Sequence, residues 1–144
     1  MDKISQALST FDSGFNCSQS VLTAFCSELG LPDEAAFRIA CGFGGGMGRM
    51  AETCGAVTGA FMVIGLKYGQ TRHDDKTAKE KTYTLVKTFA DTFIKEHGSI
   101  RCSELLSCDI NTPEGVKRAN EKNLFKTLCP KYVESAIKIL GKIV

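Results

Sequence analysis

GFGGGMGRMAETCGAVTGAFMVIGLKY, residues 42–68, is a glycine-rich run that gives way to a stretch apolar on almost every side. From about Glu52 or Thr53 to Tyr68 the spacing predicts a helix. Ala51, Cys54, Gly55, Thr58, Gly59 and Met62 share one narrow face of mostly small side chains, and Val57, Phe61, Ile64 and Tyr68 share another. A helix apolar nearly all round is expected at the centre of a fold, covered on every side by others. The small-residue face, with Gly55 and Gly59 four apart, predicts a close helix–helix seam, within the chain or in a symmetric dimer.

Outward from this segment the pattern is helical throughout, with no convincing strand. Ile4, Leu8 and Phe11 recur at helical spacing near the start. A helix from Cys17 to about Leu29 follows, with Asn16 as N-cap and Gln19 three residues on as its capping-box partner. Pro32-Asp33-Glu34 opens the next, which closes near Cys41. Beyond the central helix, a long one is expected from about Asp74 to His97, burying Leu85, Val86, Phe89, Ala90, Phe93 and Ile94. A short helix over Ile100 to Leu106, a start at Asn111-Thr112-Pro113-Glu114 and a last helix opening at Cys129-Pro130 complete the chain. The expected fold is all-α: one domain, residues 1–144, a helical bundle with a glycine-rich loop leading into a central buried helix.

Composition narrows the function. The net charge of +2 over 144 residues comes without a basic run, so the electrostatic footprint of a nucleic-acid binder is missing. Ala56 to Leu66 is the longest mostly apolar stretch, far short of the roughly 20 residues of a membrane span. The opening residues lack a basic region followed by an apolar one, so no secretory signal and a cytoplasmic location are expected.

Seven cysteines is a high count for such a chain, the number is odd, and none forms a CxxC pair. In a reducing compartment such thiols point to catalysis, redox exchange or metal binding before a disulfide framework. Cys17, Cys54, Cys102 and Cys129 each fall at or beside a predicted helix start, with Asn16, Thr53 and Ser99 as candidate caps and Cys129 itself at an N-cap position. Free N–H groups and the helix dipole there favour an anion and lower a thiol's pKa. Cys26 and Cys41 sit at stripe positions typical of core residues, and Cys108 lies in a loop.

The glycine run, the element Thr53-Cys54-Gly55-Ala56-Val57-Thr58-Gly59, and Phe15-Asn16-Cys17-Ser18-Gln19, Arg101-Cys102-Ser103 and Leu128-Cys129-Pro130 together resemble the C-GCAxxG-C-C family. That family is described as redox-active on account of its four cysteines, which fall on Cys17, Cys54, Cys102 and Cys129. The resemblance also carries an association with transporter gene neighbourhoods.

Three functions follow. The first is a thiol oxidoreductase acting on a small-molecule or protein thiol partner. Cys54 would be the lead thiolate, Cys17 its resolving partner, and Cys102 and Cys129 a second couple, though four cysteines allow three pairings. The second is a metal-ion or iron–sulfur protein ligated by the same four thiolates. The third is a non-catalytic helical partner of a transporter.

Gly44, Gly45, Gly46 and Gly48 are the candidate cofactor-binding residues. Their loop can turn N–H groups toward an anion, although it lacks the Gly-Lys-Ser/Thr ending of a Walker loop and the strand of a dinucleotide fingerprint. Arg49 could add a cation to the pocket of Cys54, and Glu52 a general base. His73 and His97 have no spacing that ties them to the cysteines.

Overall fold

The computed structural model describes residues 2–144. The helices are α1 (Lys3–Asp12), α2 (Cys17–Phe25), α3 (Asp33–Cys41), α4 (Gly55–Tyr68), α5 (Lys76–His97), α6 (Cys102–Leu105), α7 (Pro113–Glu121), α8 (Leu124–Thr127) and α9 (Cys129–Ile143). Among the described residues there is no strand, and the fold is all-α as expected. Among the described residues no helix is long and apolar enough to cross a membrane.

Local chemistry sets most of the boundaries. Asp2, Asp75 and Thr112 each accept a backbone N–H three residues on and open α1, α5 and α7. Asn16 and Gln19 form the full reciprocal capping box at α2. Helix α4 is the centre, packed on α2, α5 and α9, and all of Gly55 to Ala60 is buried along with Val63 and Ile64. Around it lie Val21 and Leu22 of α2, Phe89 and Phe93 of α5, and Val133 and Leu140 of α9, all in one continuous core.

The small-residue seam is used within the chain. A Cβ on Gly59 would stand 2.7 Å from the Ser18 carbonyl oxygen, and one on Gly55 would stand 3.1 Å from the Ser18 nitrogen. Helix α2 fills this face, which is therefore closed to a second copy.

Several boundaries and one burial pattern differ from expectation. Helix α4 begins at Gly55 rather than at Glu52 or Thr53, because Thr53 is drawn into an antiparallel bridge with Arg101. The short α8 precedes α9, entered through Asn123 in the left-handed region. On α5 only Phe89 and Phe93 are buried, and Ile94 points outward at 40% exposure. A single helix face against α4 and α9 has room for one narrow stripe.

Candidate functional site

The four helix-start cysteines come from four different elements and meet in one cavity of about 690 Å³. Cys17 is the first residue of α2, fixed by the Asn16 cap, whose Nδ2 also donates to the Cys41 carbonyl at 3.0 Å. Cys129 is the first residue of α9, with Leu128 rather than Cys129 at the N-cap position. Cys54 caps α4 itself, and Cys102 opens the single turn of α6.

The bridge between Thr53 and Arg101 ties these last two together. The Cys54 N–H donates to the Ile100 carbonyl at 2.8 Å, and the Cys102 N–H donates to the Glu52 carbonyl at 2.6 Å. In an antiparallel pair, residues flanking one bridging pair fall on the same face, so Cys54 and Cys102 are diagonal neighbours.

Ionisation separates the four. Cys17 and Cys129 shift each other's acidity: their mutual interaction, with burial added, pushes Cys17 up and holds Cys129 below the usual thiol range against its own burial. Burial pushes Cys54 up to about 12, only partly opposed by the N–H groups of Ala56 and Val57. Burial also pushes Cys102 up to about 12, with the neighbouring Cys54 and Cys129 adding to it.

The helix start lowers the Cys54 thiol through the nearby N–H groups of Ala56 and Val57, but the thiol makes no cap hydrogen bond and desolvation outweighs them. At 6% and 7% exposure Cys54 and Cys102 are nearly closed off, whereas Cys17 and Cys129 are half-buried. Of the four, only Cys129 is held below the usual thiol range.

The remaining cavity wall is largely apolar, from Phe11 and Phe15 on one side of the sequence to Leu106, Ile110 and Phe125 on the other. Gly44, Gly45, Gly46 and Gly48 line it together with Arg49. The loop takes a left-handed course there. Gly46 has φ +68°, and a Cβ on it would lie 2.6 Å from the Glu52 nitrogen.

Tyr132, which sequence reasoning missed, also lines the cavity and donates to the Leu105 carbonyl at 2.8 Å. Burial raises its phenol, with Cys54, Cys129 and Cys102 adding to the shift. Its position three residues after Cys129, on the same helix face, was the available signal.

Other candidates are placed elsewhere. Glu52 is exposed and pairs with Arg101 at 3.4 Å, so its carboxylate is engaged outside the cavity. His73 is exposed. His97 packs against Phe93 and Tyr132, and burial lowers its pKa.

Cys26 donates to Asp33 at 3.2 Å and Cys108 to the Gly115 carbonyl at 3.0 Å, both as structural ties. Cys41, expected in the core, is the last residue of α3 and is exposed, lining the cavity where the glycine loop departs. Among the described residues no three His, Cys, Asp or Glu side chains are grouped as they would be to hold a metal ion, so the four-thiolate ligand set has no geometric support.

A helical bundle whose helix starts bring four free thiols into one cavity is an all-α cysteine protein, with its distinctive chemistry concentrated in sulfur. The chain belongs to the family described as "Putative redox-active protein (C_GCAxxG_C_C)", whose model matches residues 15–143. No curated protein and no solved structure gives a match.

Proposed function

We propose that this protein is a thiol oxidoreductase that exchanges disulfides in the four-thiol cavity, with Cys129 as the attacking thiolate and Cys17 as its resolving partner. The observation that carries the proposal is the meeting of Cys17 and Cys129, each the first residue of a helix, in one cavity. The pair couples a sulfur held below the usual thiol range to a second thiol that can close a disulfide with it. This replaces the expectation of Cys54 as lead thiolate, since burial keeps Cys54 protonated at neutral pH.

The step balances as an ordinary exchange. The Cys129 thiolate attacks one sulfur of a substrate disulfide. That S–S bond breaks, a mixed disulfide forms, and the first leaving thiolate departs. Cys17, giving up its proton, then attacks the Cys129 sulfur. The mixed disulfide breaks and the second substrate thiol leaves. The substrate gains two electrons and two protons, and the protein keeps a Cys17–Cys129 disulfide. Cys54 and Cys102, which lie close enough to Cys129 to influence its neighbours' charge, form the second couple and can take over that disulfide by the same exchange.

The test is titration of the fully reduced protein with one equivalent of an organic disulfide, followed by peptide mapping. A reversible Cys17–Cys129 disulfide as the first product supports the proposal. A first disulfide at any other pair, or stable one-sided adducts that never close, would sink it.

A further inference from the structure

The same cavity carries information about what enters it. Its lining includes one cation, Arg49, and no carboxylate, and Arg49 makes no ion pair with any described residue. Beside it, Gly45, Gly46, Met47, Gly48 and Arg49 all have positive φ, from 59° to 68°. This left-handed turn is closed by Met47 N–H to the Phe43 carbonyl at 3.2 Å, Arg49 to Gly44 at 3.2 Å, Ala51 to Gly45 at 3.1 Å and Glu52 to Gly46 at 2.9 Å.

Those bonds satisfy the carbonyls of the glycine run and leave donors over. The N–H groups of Gly44, Gly45, Gly46 and Gly48 donate to no other group among the described residues. All four residues line the cavity. Unused backbone donors next to an unpaired guanidinium, in a wall free of acids, favour negative charge.

The other walls are largely apolar, with Asn16, Asn120 and Tyr132 among them, and the volume suits a small organic molecule rather than a protein segment. We infer that the substrate of the proposed exchange is a small organic disulfide bearing an anionic group, a carboxylate or similar, seated on Arg49 and the Gly44–Gly48 loop, with its sulfurs toward Cys129. This rests on the thiol-exchange reading and adds to it the charge and size of the substrate.

The experiment compares two aromatic disulfides on the fully reduced protein: dianionic dithiobis(nitrobenzoate) and neutral dithiodipyridine. Each rate is divided by that of a free small thiol with the same reagent. The wild-type protein is expected to prefer the dianion by about tenfold on this scale, as a positively charged cleft enriches an anion. That preference should shrink as salt is raised.

Arg49→Ala should lose most of the preference and Arg49→Lys should keep much of it. No preference in the wild type, or a preference unmoved in Arg49→Ala, would overturn the inference. The neutral reagent separates the two readings. A fast phase with it that disappears in Cys129→Ala leaves the exchange proposal standing even where the charge preference fails. The absence of any such phase with either reagent overturns both.

Discussion

Cys17, the first residue of α2, and Cys129, the first residue of α9, meet in one cavity and shift each other's acidity. The pairing raises Cys17 and lowers Cys129, so two side chains of one type come to differ in how readily they ionise. Neither the α2 start nor the α9 start does this alone. The helix start at Cys54, with the N–H groups of Ala56 and Val57 nearby, is overridden by burial.

Removing Cys17 should therefore be felt at the other sulfur. In Cys17→Ala the Cys129 thiol is expected to titrate higher, and its alkylation rate at neutral pH to fall several-fold, about tenfold for each pKa unit lost to ionisation. Cys17→Ser, which keeps a hydroxyl donor, should fall between this variant and the wild type. The check is the pH–rate profile of iodoacetamide modification, followed at Cys129 by mass mapping. An unchanged profile in Cys17→Ala would mean that Cys17 does not set the acidity of Cys129.

Buried thiols also make stability depend on alkaline pH. Cys54 and Cys102 hold their protons in the folded protein to about 12, whereas the same thiols in the unfolded chain ionise near 8.5 to 9. Above that lower value the unfolded state binds fewer protons, so stability is full below it and is lost as pH rises toward 12. Each such thiol contributes a slope of about 1.4 kcal/mol per pH unit. Cys17 and Cys26, whose thiols are also raised, add to the decline, and Cys129, whose pKa is lowered, works in the opposite sense. Urea unfolding between pH 8 and 10.5 should show a decline that is shallower in a Cys54→Ala/Cys102→Ala double variant. Parallel declines would mean that these two thiols are not held protonated.

Much of the frame was legible because it is local. Asn16 with Gln19, Thr112 before Pro113 and the apolar circumference of α4 act within a few residues, and each predicts its element. The grouping of Cys17, Cys54, Cys102 and Cys129 was suggested by a shared position at helix starts, and the structure gathers them in one cavity. The relative acidity of the four was not legible. It depends on desolvation and on the Cys17–Cys129 interaction, both set by packing between segments far apart in the chain. The bridge between Thr53 and Arg101 is of the same kind: it delays the start of α4 and pairs Cys54 with Cys102, and no short-range pattern announces it. Cys41 ends its helix as expected, but its exposure was not legible, because periodicity does not tell which helix ends a neighbouring element covers.

The α2–α4 seam gives a structural prediction with a chemical readout. Gly59→Ala puts a methyl against the Ser18 carbonyl, a backbone atom that cannot swing away, and is expected to cost about 1–3 kcal/mol. Gly59→Leu should cost more. Ser18 follows Cys17, so the helix shift that relieves the clash also moves the Cys17 thiol relative to Cys129. Gly59→Ala should therefore slow formation of the Cys17–Cys129 disulfide while the protein remains folded. Thermal melts and the rate of that disulfide's appearance check both parts, and wild-type values for both would refute the seam's role.

Asn16 holds the opposite side of the same thiol. Its Oδ1 accepts the Gln19 N–H at 2.9 Å, its own N–H donates to the Gln19 Oε1 at 3.0 Å, and its Nδ2 reaches the Cys41 carbonyl at 3.0 Å. One residue thus fixes where α2 begins and ties it to the end of α3, from which the glycine loop departs. Asn16→Ala removes the cap and the tie together and is expected to lower stability by about 1–2 kcal/mol. Asn16→Asp keeps the cap oxygen but loses the Nδ2 donor. It also places a carboxylate in the wall of a cavity that otherwise has none. Asn16→Asp should melt closer to the wild type than Asn16→Ala does, yet react more slowly with a dianionic disulfide than with a neutral one. Equal slowing toward both reagents would show that the asparagine acts only through the fold.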